Sequence, residues 1–227
     1  MSEAVEILGL IAKNKSLPNY SAETRLDAYL CFYIEKMYPE IEFVATEFPI
    51  KKADSNQSTK VDLLCVHKET MKPIFIEFKT DSKSFNDHQA KSYADLHWNT
   101  LIEGLFKIME ASKSDYKVKY LYLINQLIKK GLISECDKFP SKILKKSYDT
   151  KADKNLRSRE INNFARAREY QLNSSDGIVE VWYIAPKYLR GKMPDDINFI
   201  SFNELPDNIK PKSEIYQAFI KLLRTIE

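Results

Sequence analysis

Several residue types and patterns are scarce in this chain, and each scarcity excludes a class of protein. The 227 residues include only five glycines, so a fibrous repeat is not expected. No apolar stretch approaches the ~20 residues of a membrane span, so no membrane contact is expected. The cysteines are odd in number and scattered, which predicts free buried thiols rather than a disulfide or metal framework. They are Cys31, Cys65 and Cys136.

Three further absences concern motifs and targeting signals. The histidines, His67, His88 and His97, do not have the spacing of metal ligands. No glycine-rich phosphate loop is present, so a built-in ATPase motor is not expected. The first residues, Met1–Glu6, lack the basic and apolar regions of a signal peptide. The sequence therefore predicts a cytoplasmic protein.

Two short apolar runs carry charges that a buried strand normally excludes. The runs are Val61–Val66 and Pro73–Lys79, and both have the length and the branched or aromatic composition of buried strands. They are interrupted by Asp62, Glu77 and Lys79. A charge inside a core strand is costly unless it is paired or holds a metal ion. This combination indicates a functional site.

The alternation of side chains along a strand predicts how these charges are arranged. Glu77 and Lys79 should point to the same face of the sheet, since side chains two residues apart share a face. The residues that should point into the opposite layer are Ile74, Ile76 and Phe78. If the first run lies beside the second, two carboxylates and one ammonium converge at one edge of a sheet.

The spacing acidic-x-Lys is a weak signal alone, because it occurs four times in the chain. Only the pair Glu77 and Lys79 lies inside an apolar strand pattern with an acidic apolar strand just upstream. A plainer alternative for this pair is an ion pair on an exposed sheet face, but that alternative leaves Asp62 unexplained. The other three pairs fall at turns or in polar stretches, where we expect solvated charge. They are Asp81 and Lys83, Asp115 and Lys117, and Asp149 and Lys151.

An Asp on one strand and Glu-x-Lys on the next resembles the PD-(D/E)XK nuclease superfamily, which cuts DNA or RNA with a divalent metal ion. The matching residues are Asp62 and Glu77-Phe78-Lys79, with Lys72-Pro73 in the short turn before the second strand. The superfamily pattern often has Pro before its first Asp, whereas this chain has Val61. That departure is mild, since the proline makes no contact with the chemistry.

The resemblance implies an α/β fold with a restriction-endonuclease-like core, a central mixed β-sheet flanked by helices in the order α-β-β-β-α-β. It covers about residues 20–125. The strands that the pattern predicts for this core are residues 41–50, the two runs named above and residues 116–124. A long helix over about residues 87–111 is expected before the last of them.

The length of the chain predicts a single domain spanning residues 1–227. Residues 126–227 would form a C-terminal extension of helices and strands that completes the sheet. Additional strands are predicted at residues 177–185 and 198–202, and Ser213 is expected to cap a final helix.

The superfamily core begins with a helix that often contributes another acid to the metal site. Here Ser21 is a good N-cap, and residues 22–34 have an amphipathic pattern. Glu23 is the first candidate for the helix acid and Asp27 the second, because a spacing of four places them on one face. Alternatively, Glu23 only interacts with the positive end of the helix. The predicted buried stripe is Leu26, Leu30 and Tyr33.

Some branches of the superfamily carry a Gln-x-x-x-Tyr helix after the Glu-x-Lys strand. Gln89 and Tyr93 have this spacing, which would place both on one helix face within reach of a substrate phosphate. The alternative is that Tyr93 is an aromatic residue at the edge of the core, with Gln89 in solvent. Lys83 is a further candidate for substrate binding in the same region.

Residues 142–170 are the most basic stretch, with nine Lys and Arg residues against four Asp and Glu residues. Such a cluster is typical of a surface that binds a phosphate backbone, although a solvated helix face is the plainer alternative. The candidate phosphate contacts are Lys145, Lys146 and Arg157.

The resemblance also implies a chemistry. Asp62 and Glu77 would bind Mg²⁺, which Mn²⁺ could replace, with the Phe78 carbonyl as a third ligand and Glu23 binding directly or through water. Lys79 would orient the attacking water and stabilise negative charge. The expected function is a nuclease of restriction, phage defence or repair.

The expected partner is nucleic acid, DNA rather than RNA. A homodimer is one expected state, because double-strand cutters of the superfamily often act as dimers.

Alternatives to this function remain open. The main alternative is an inactive nuclease-fold module that binds nucleic acid or protein. A structural protein with a coincidental motif is the third reading of the sequence.

Overall fold

A computed structural model of the chain shows a five-stranded mixed sheet between two layers of helices. It describes residues 4–5, 7–8, 23–51, 58–82, 85, 93, 96–134, 139–144, 151–167, 170–173, 177–195 and 197–227.

The strands follow one another across the sheet in chain order. The first three pair antiparallel, whereas the third and fourth, and the fourth and fifth, pair parallel. They are β1 (Ile41–Lys51), β2 (Ser58–His67), β3 (Pro73–Phe78), β4 (Glu180–Ala185) and β5 (Asn198–Ser201). The predictions of strands at the two charged apolar runs and at residues 41–50 are confirmed.

Among the described residues, five α-helices cover the two faces of the sheet. They are α1 (Glu23–Met37), α2 (Trp98–Ala111), α3 (Ser114–Lys129), α4 (Lys151–Ala167) and α5 (Glu214–Arg224). Apolar residues of α2, α3 and α4 form one core with one sheet face, and those of α1 and α5 form a second core with the other. The sheet is thus buried on both faces, as expected where parallel strands are present. This α/β class agrees with the prediction.

The alternation predicted for β3 is confirmed. Ile74, Ile76 and Phe78 belong to the core beneath α1 and α5, whereas Phe75 belongs to the opposite core. On α1, the predicted stripe of Leu26, Leu30 and Tyr33 is buried in the same core as Ile74.

The predicted strand at residues 116–124 is wrong, because these residues lie within α3. Its buried residues include Lys117, Leu121, Ile124 and Leu127, which have the spacing of a helix face. Tyr116 and Tyr122, which gave the segment a strand-like composition, are about half exposed or more. The fourth strand of the sheet is instead β4, which lies much later in the chain.

Of the helix predicted at residues 87–111, the structure shows the part from Trp98 to Ala111, and the described residues 96–97 before it are not helical. His97 forms an isolated β-bridge with Ile178, and the Leu96 carbonyl accepts a hydrogen bond from the Val179 backbone at 3.0 Å. These contacts hold the backbone extended just before α2. Residues 86–92 and 94–95 lie outside the described part of the chain.

The predictions for the C-terminal part are confirmed where they can be compared. β4 and β5 lie within the predicted strands, and Ser213 caps α5 by accepting a hydrogen bond from the Tyr216 backbone. Cys65 is a buried free thiol and Cys31 a half-buried one, whereas Cys136 lies outside the described residues. Within the described residues, no helix has both the length and the apolar character needed to cross a bilayer.

Candidate active site

The pairing of β2 with β3 brings Asp62 beside the Glu-x-Lys segment. Leu63 is paired with Ile76 in this antiparallel register, so Asp62 lies next to the end of β3. Its Oδ2 accepts a hydrogen bond from the Phe78 backbone N–H at 2.8 Å. The Asp62 side chain remains about one-third exposed, at 31%. It is therefore oriented by the backbone of β3 and still reachable from solvent.

The Lys79 ammonium joins the two carboxylates. Its Nζ lies 3.0 Å from Glu77 Oε2 and 3.5 Å from Asp62 Oδ2. These two oxygens therefore lie no farther apart than the sum of the two distances. Glu77 and Lys79 do form an ion pair, but they are 0% and 4% exposed. The alternative of an ion pair on an exposed sheet face is wrong for this reason.

Tyr93 contacts the same cluster. Its hydroxyl donates a short hydrogen bond to Glu77 Oε1, and its ring is buried against Phe75 and Tyr183. Tyr183 is paired with Glu77 across the parallel β3–β4 register, so both side chains share one sheet face. Tyr93 is thus an aromatic residue of the core, as its second interpretation predicted, and its hydroxyl contacts Glu77. A contact of Gln89 or Tyr93 with a substrate phosphate stays a prediction.

Burial changes the protonation of Glu77. Removal from water and, to a smaller extent, the nearby Asp62 carboxylate raise the pKa of its carboxyl to about 7, even though Lys79 and Tyr93 oppose both effects. The same enclosure raises the pKa of the Tyr183 phenol, with smaller contributions from Glu77 and Asp62. A second cation near Glu77 would favour its charged form.

Of the two candidates for the helix acid, Asp27 is the one whose side chain is described. Partial burial raises the pKa of its carboxyl, a hydrogen bond from the Ala28 backbone opposes this, and the Asp62 carboxylate adds to it. Asp27 therefore lies within electrostatic reach of Asp62. Glu23 is the first residue of α1, and its side chain lies outside the described part.

The donor atoms of this cluster are of the type that Mg²⁺ prefers. Asp62 and Glu77 supply carboxylate oxygens from neighbouring strands, bridged by one ammonium. Within the described residues, no group of three or more His, Cys, Asp or Glu side chains could hold a metal ion. The two carboxylates fit a site of few protein ligands, which is how Mg²⁺ is usually bound.

Most of the predicted substrate contacts fall on undescribed residues. Lys83, Gln89, Lys145 and Lys146 lie outside the described ranges, so their placement remains a prediction. Arg157 lies on α4 and is half-buried.

The roles of two further residues, Tyr183 and Lys117, are not predicted from the sequence. Tyr183 falls within a predicted strand, and nothing in the sequence indicates that it lies beside Glu77. Lys117 was assigned to solvent, yet it is buried, and its Nζ donates to the carbonyls of Met109 and Glu110 and to Asn162 Oδ1 at 3.2, 2.5 and 2.8 Å. Lys117 thereby caps the end of α2 from the neighbouring helix. Its helical spacing from Leu121 and Ile124 is the sequence signal that could reveal this position.

Comparisons with protein-family models, with curated proteins and with solved structures find no match to this chain. The assignment of function therefore depends on the site alone.

Proposed function

We propose that the chain is a metal-dependent nuclease that hydrolyses phosphodiester bonds, with DNA as its expected substrate. The observation that supports this proposal most is the cluster of Asp62, Glu77 and Lys79 on two adjacent strands. Burying a Glu and a Lys at the end of a core strand has a large desolvation cost. An apolar pair at these positions would pack at least as well. Such a combination is typical of a functional site.

The sheet supports the same proposal. A helix followed by three strands in a mixed sheet agrees with the start of the order α-β-β-β-α-β that the resemblance to PD-(D/E)XK nucleases implies, whereas the fourth strand comes from Glu180–Ala185 and not from residues 116–124. The acidic and basic residues of the motif lie at the carboxyl end of β3, where β4 runs beside it in the same direction. Ligands of sheets with parallel strands commonly bind at this end.

Each residue of the cluster has a role that its contacts support. Asp62, held by the Phe78 backbone, and Glu77, held by Tyr93, would bind the metal ion through their carboxylates. The Phe78 carbonyl and the helix acid Glu23 are the further ligands that we propose. Asp27 is the second candidate for the helix acid and would act through its charge near Asp62, since Asp27, Asp62 and Glu77 do not form a three-carboxylate metal group among the described residues. When bound, Mg²⁺ or Mn²⁺ supplies charge neutralisation at the phosphate and a water of lowered pKa.

Lys79 would act on the substrate. Its ammonium lies between the carboxylates, within reach of any phosphate that approaches Asp62 from solvent. A fixed cation in a partly dry site stabilises the negative charge that develops on the phosphoryl oxygens and can orient the attacking water. The buried aromatic rings around Glu77 keep water away from the rest of the site.

One observation favours the second candidate, an inactive nuclease-fold module that binds nucleic acid or protein. Among the described residues only two carboxylates meet at the site, and the ammonium of Lys79 already neutralises part of their charge. In such a module these residues would contribute only a buried ion-pair network.

The experiment that separates the candidates is a cleavage assay across circular, linear and single-stranded DNA and RNA, with Mg²⁺ or EDTA. We expect Mg²⁺-dependent cleavage by the wild type and a loss of roughly 10²–10³-fold in turnover for Lys79→Ala, the usual cost of removing a group that stabilises the transition state. Lys107→Ala, on the exposed face of α2, is the matched control. Wild-type protein that binds but never cleaves these substrates would establish the inactive module.

A further inference from the structure

A short basic segment leaves the sheet at the same edge as the proposed site. This segment is the 3₁₀ helix Lys187–Lys192, which follows β4 after Pro186. β3 and β4 are parallel, and the Lys79 backbone N–H donates to the Ile184 carbonyl at 3.1 Å. The carboxyl ends of the two strands therefore lie side by side, and the residues that follow them emerge together.

The segment presents polar and aromatic side chains on a fixed base. Leu189 and Met193 are buried and anchor it to the core beneath α2, α3 and α4. Its exposed residues are Lys187, Tyr188, Arg190, Gly191 and Lys192. Three cations and one aromatic ring within six residues make this a basic patch interleaved with an aromatic residue, a combination suited to nucleic acid.

Tyr188 is 54% exposed. Partial burial and the nearby Asp81 raise the pKa of its phenol, and the Ser82 backbone close to the hydroxyl opposes this, so the phenol lies beside residues 81–82. Ser82 is three residues after Lys79, a length of chain that spans at most about 11 Å. The Tyr188 phenol therefore lies close to the exit of the strand that carries the proposed catalytic residues.

The cations of the segment differ in what they contact. Arg190 donates to the Ile197 carbonyl at 3.2 Å and lies over the Phe199 ring, so it supports the fold. Lys187 and Lys192 are exposed. Hydrogen bonds from Ser201 lower the pKa of the Glu204 carboxyl, and the nearby charges of Lys187 and Arg190 add a smaller decrease. The further acids near the segment are Asp81 and Asp195.

We infer that residues 187–192 bind unpaired nucleotides of the substrate, with one base stacked on Tyr188 and phosphates contacted by Lys187 and Lys192. This inference rests on the proposed nuclease function and specifies its substrate as nucleic acid that is single-stranded at the site. An exposed ring offers a stacking surface to a base that is not already stacked in a duplex. A duplex would contact the lysines through its phosphates but would not stack a base on the Tyr188 ring.

The test is fluorescence anisotropy in EDTA with labelled oligothymidine, oligouridine and a DNA duplex. We expect Tyr188→Ala to weaken binding of single strands by roughly 5- to 100-fold, the usual effect of removing one stacked aromatic ring, and to weaken duplex binding less. Tyr188→Phe, which keeps the ring, should stay within about twofold of wild type. Tyr116→Ala removes a tyrosine of similar exposure from α3 and should leave binding unchanged.

A second measurement tests the lysines and does not depend on the Tyr188 variant folding. Lys187→Gln and Lys192→Gln should each reduce the salt dependence of single-strand binding by about 0.7 in log–log slope. Equal affinity of Tyr188→Ala and wild type for single strands, equal losses for single strands and duplex, or an unaltered salt slope would overturn the inference. Cleavage by the wild type is measured separately. If the wild type cleaves and Tyr188→Ala binds single strands normally, only this inference is refuted. If the wild type neither binds nor cleaves nucleic acid, the nuclease function is refuted as well.

Discussion

The hydroxyl of Tyr93 donates a hydrogen bond to the buried carboxylate of Glu77, and this contact joins a turn to the central strand of the sheet. Lys79 contacts the other oxygen of the same carboxylate at 3.0 Å. Glu77 is therefore held from both sides, by a neutral donor and by a cation. The orientation of this one side chain depends on residues that surround it in space and not only on its strand.

Loss of the Tyr93 hydroxyl should destabilise the site. Tyr93→Phe leaves a buried carboxylate oxygen without this donor, which typically costs about 1–3 kcal/mol. Urea unfolding should show a decrease of that order in the free energy of unfolding, together with slower cleavage. Tyr122→Phe is the control, since it removes a hydroxyl that donates to the Leu144 carbonyl at an exposed position. Equal stability of the two variants would show that the Tyr93 hydrogen bond contributes nothing to the fold.

The carboxylates and the lysine should differ in their effect on metal binding. Asp62→Ala or Glu77→Ala should abolish Mg²⁺ binding in calorimetry, because each removes a proposed ligand oxygen. Lys79→Ala should retain much of the affinity while turnover falls severely. Unchanged Mg²⁺ binding in both carboxylate variants would rule out the assignment of these residues as ligands.

The helix acid can be tested in the same way. Asp27 lies within electrostatic reach of Asp62, so Asp27→Asn should weaken Mg²⁺ binding measurably. Glu23→Gln, measured beside it, tests the candidate that the sequence placed first. If Asp27→Asn binds Mg²⁺ as tightly as wild type, Asp27 is not the acid that completes the site.

Burial of Glu77 predicts a pH dependence of stability in the absence of metal. The pKa of its carboxyl is about 7 in the folded protein against an ordinary value of 4.5, so the folded state binds more protons than the unfolded state between these values. Stability contributed by the protonated carboxyl is therefore lost as the pH rises through this window. Glu77→Gln removes that loss and should raise Tm relative to wild type more at about pH 8 than at about pH 5.

This prediction is checked by thermal unfolding in EDTA at both pH values. A difference of 1 kcal/mol shifts Tm by about 2–4 °C in a domain of this size, so the effect is measurable. A Tm difference between variant and wild type that does not change with pH would contradict the assigned pKa direction.

The early part of the fold could be predicted because its signals are local. The strands around Asp62 and Glu77 are marked by compact apolar runs, and the charges inside them point to the candidate site before any contact is known. The alternation along β3 then orders the side chains into two layers, as the structure confirms.

The remaining features depend on contacts between distant segments, which the sequence does not display. Tyr183 lies beside Glu77 only because β4 returns to pair with β3. His97 leaves the helical pattern because it bridges to Ile178. In α3, alternating Tyr and Lys residues imitated a strand, whereas the burial of Lys117 and Leu121 follows the helical period.

The basic segment at residues 142–170 gives a further prediction. Replacing Lys145, Lys146 and Arg157 together with Gln should weaken binding to all nucleic acid sequences alike, because interactions with the phosphate backbone carry no base information. The salt slope for duplex DNA should fall by about 0.9 for each phosphate that the variant no longer binds.

The control for that triple variant has the same change in charge. Gln at the exposed lysines Lys68, Lys212 and Lys221 should leave affinity and salt slope nearly unaltered. If both triple variants behave alike, residues 142–170 are an ordinary solvated surface, and residues 187–192 become the main basic surface to be tested.

The assignment of Asp62, Glu77 and Lys79 to a metal-dependent phosphodiesterase site has one decisive test. It is the rate of cleavage of end-labelled DNA by wild type and by Asp62→Asn, in Mg²⁺ and in EDTA, with Tm recorded for both proteins. We expect cleavage by the wild type only in Mg²⁺ and a loss of at least about 10²-fold in the folded variant. Equal cleavage by both proteins, or cleavage that persists in EDTA, would refute the assignment.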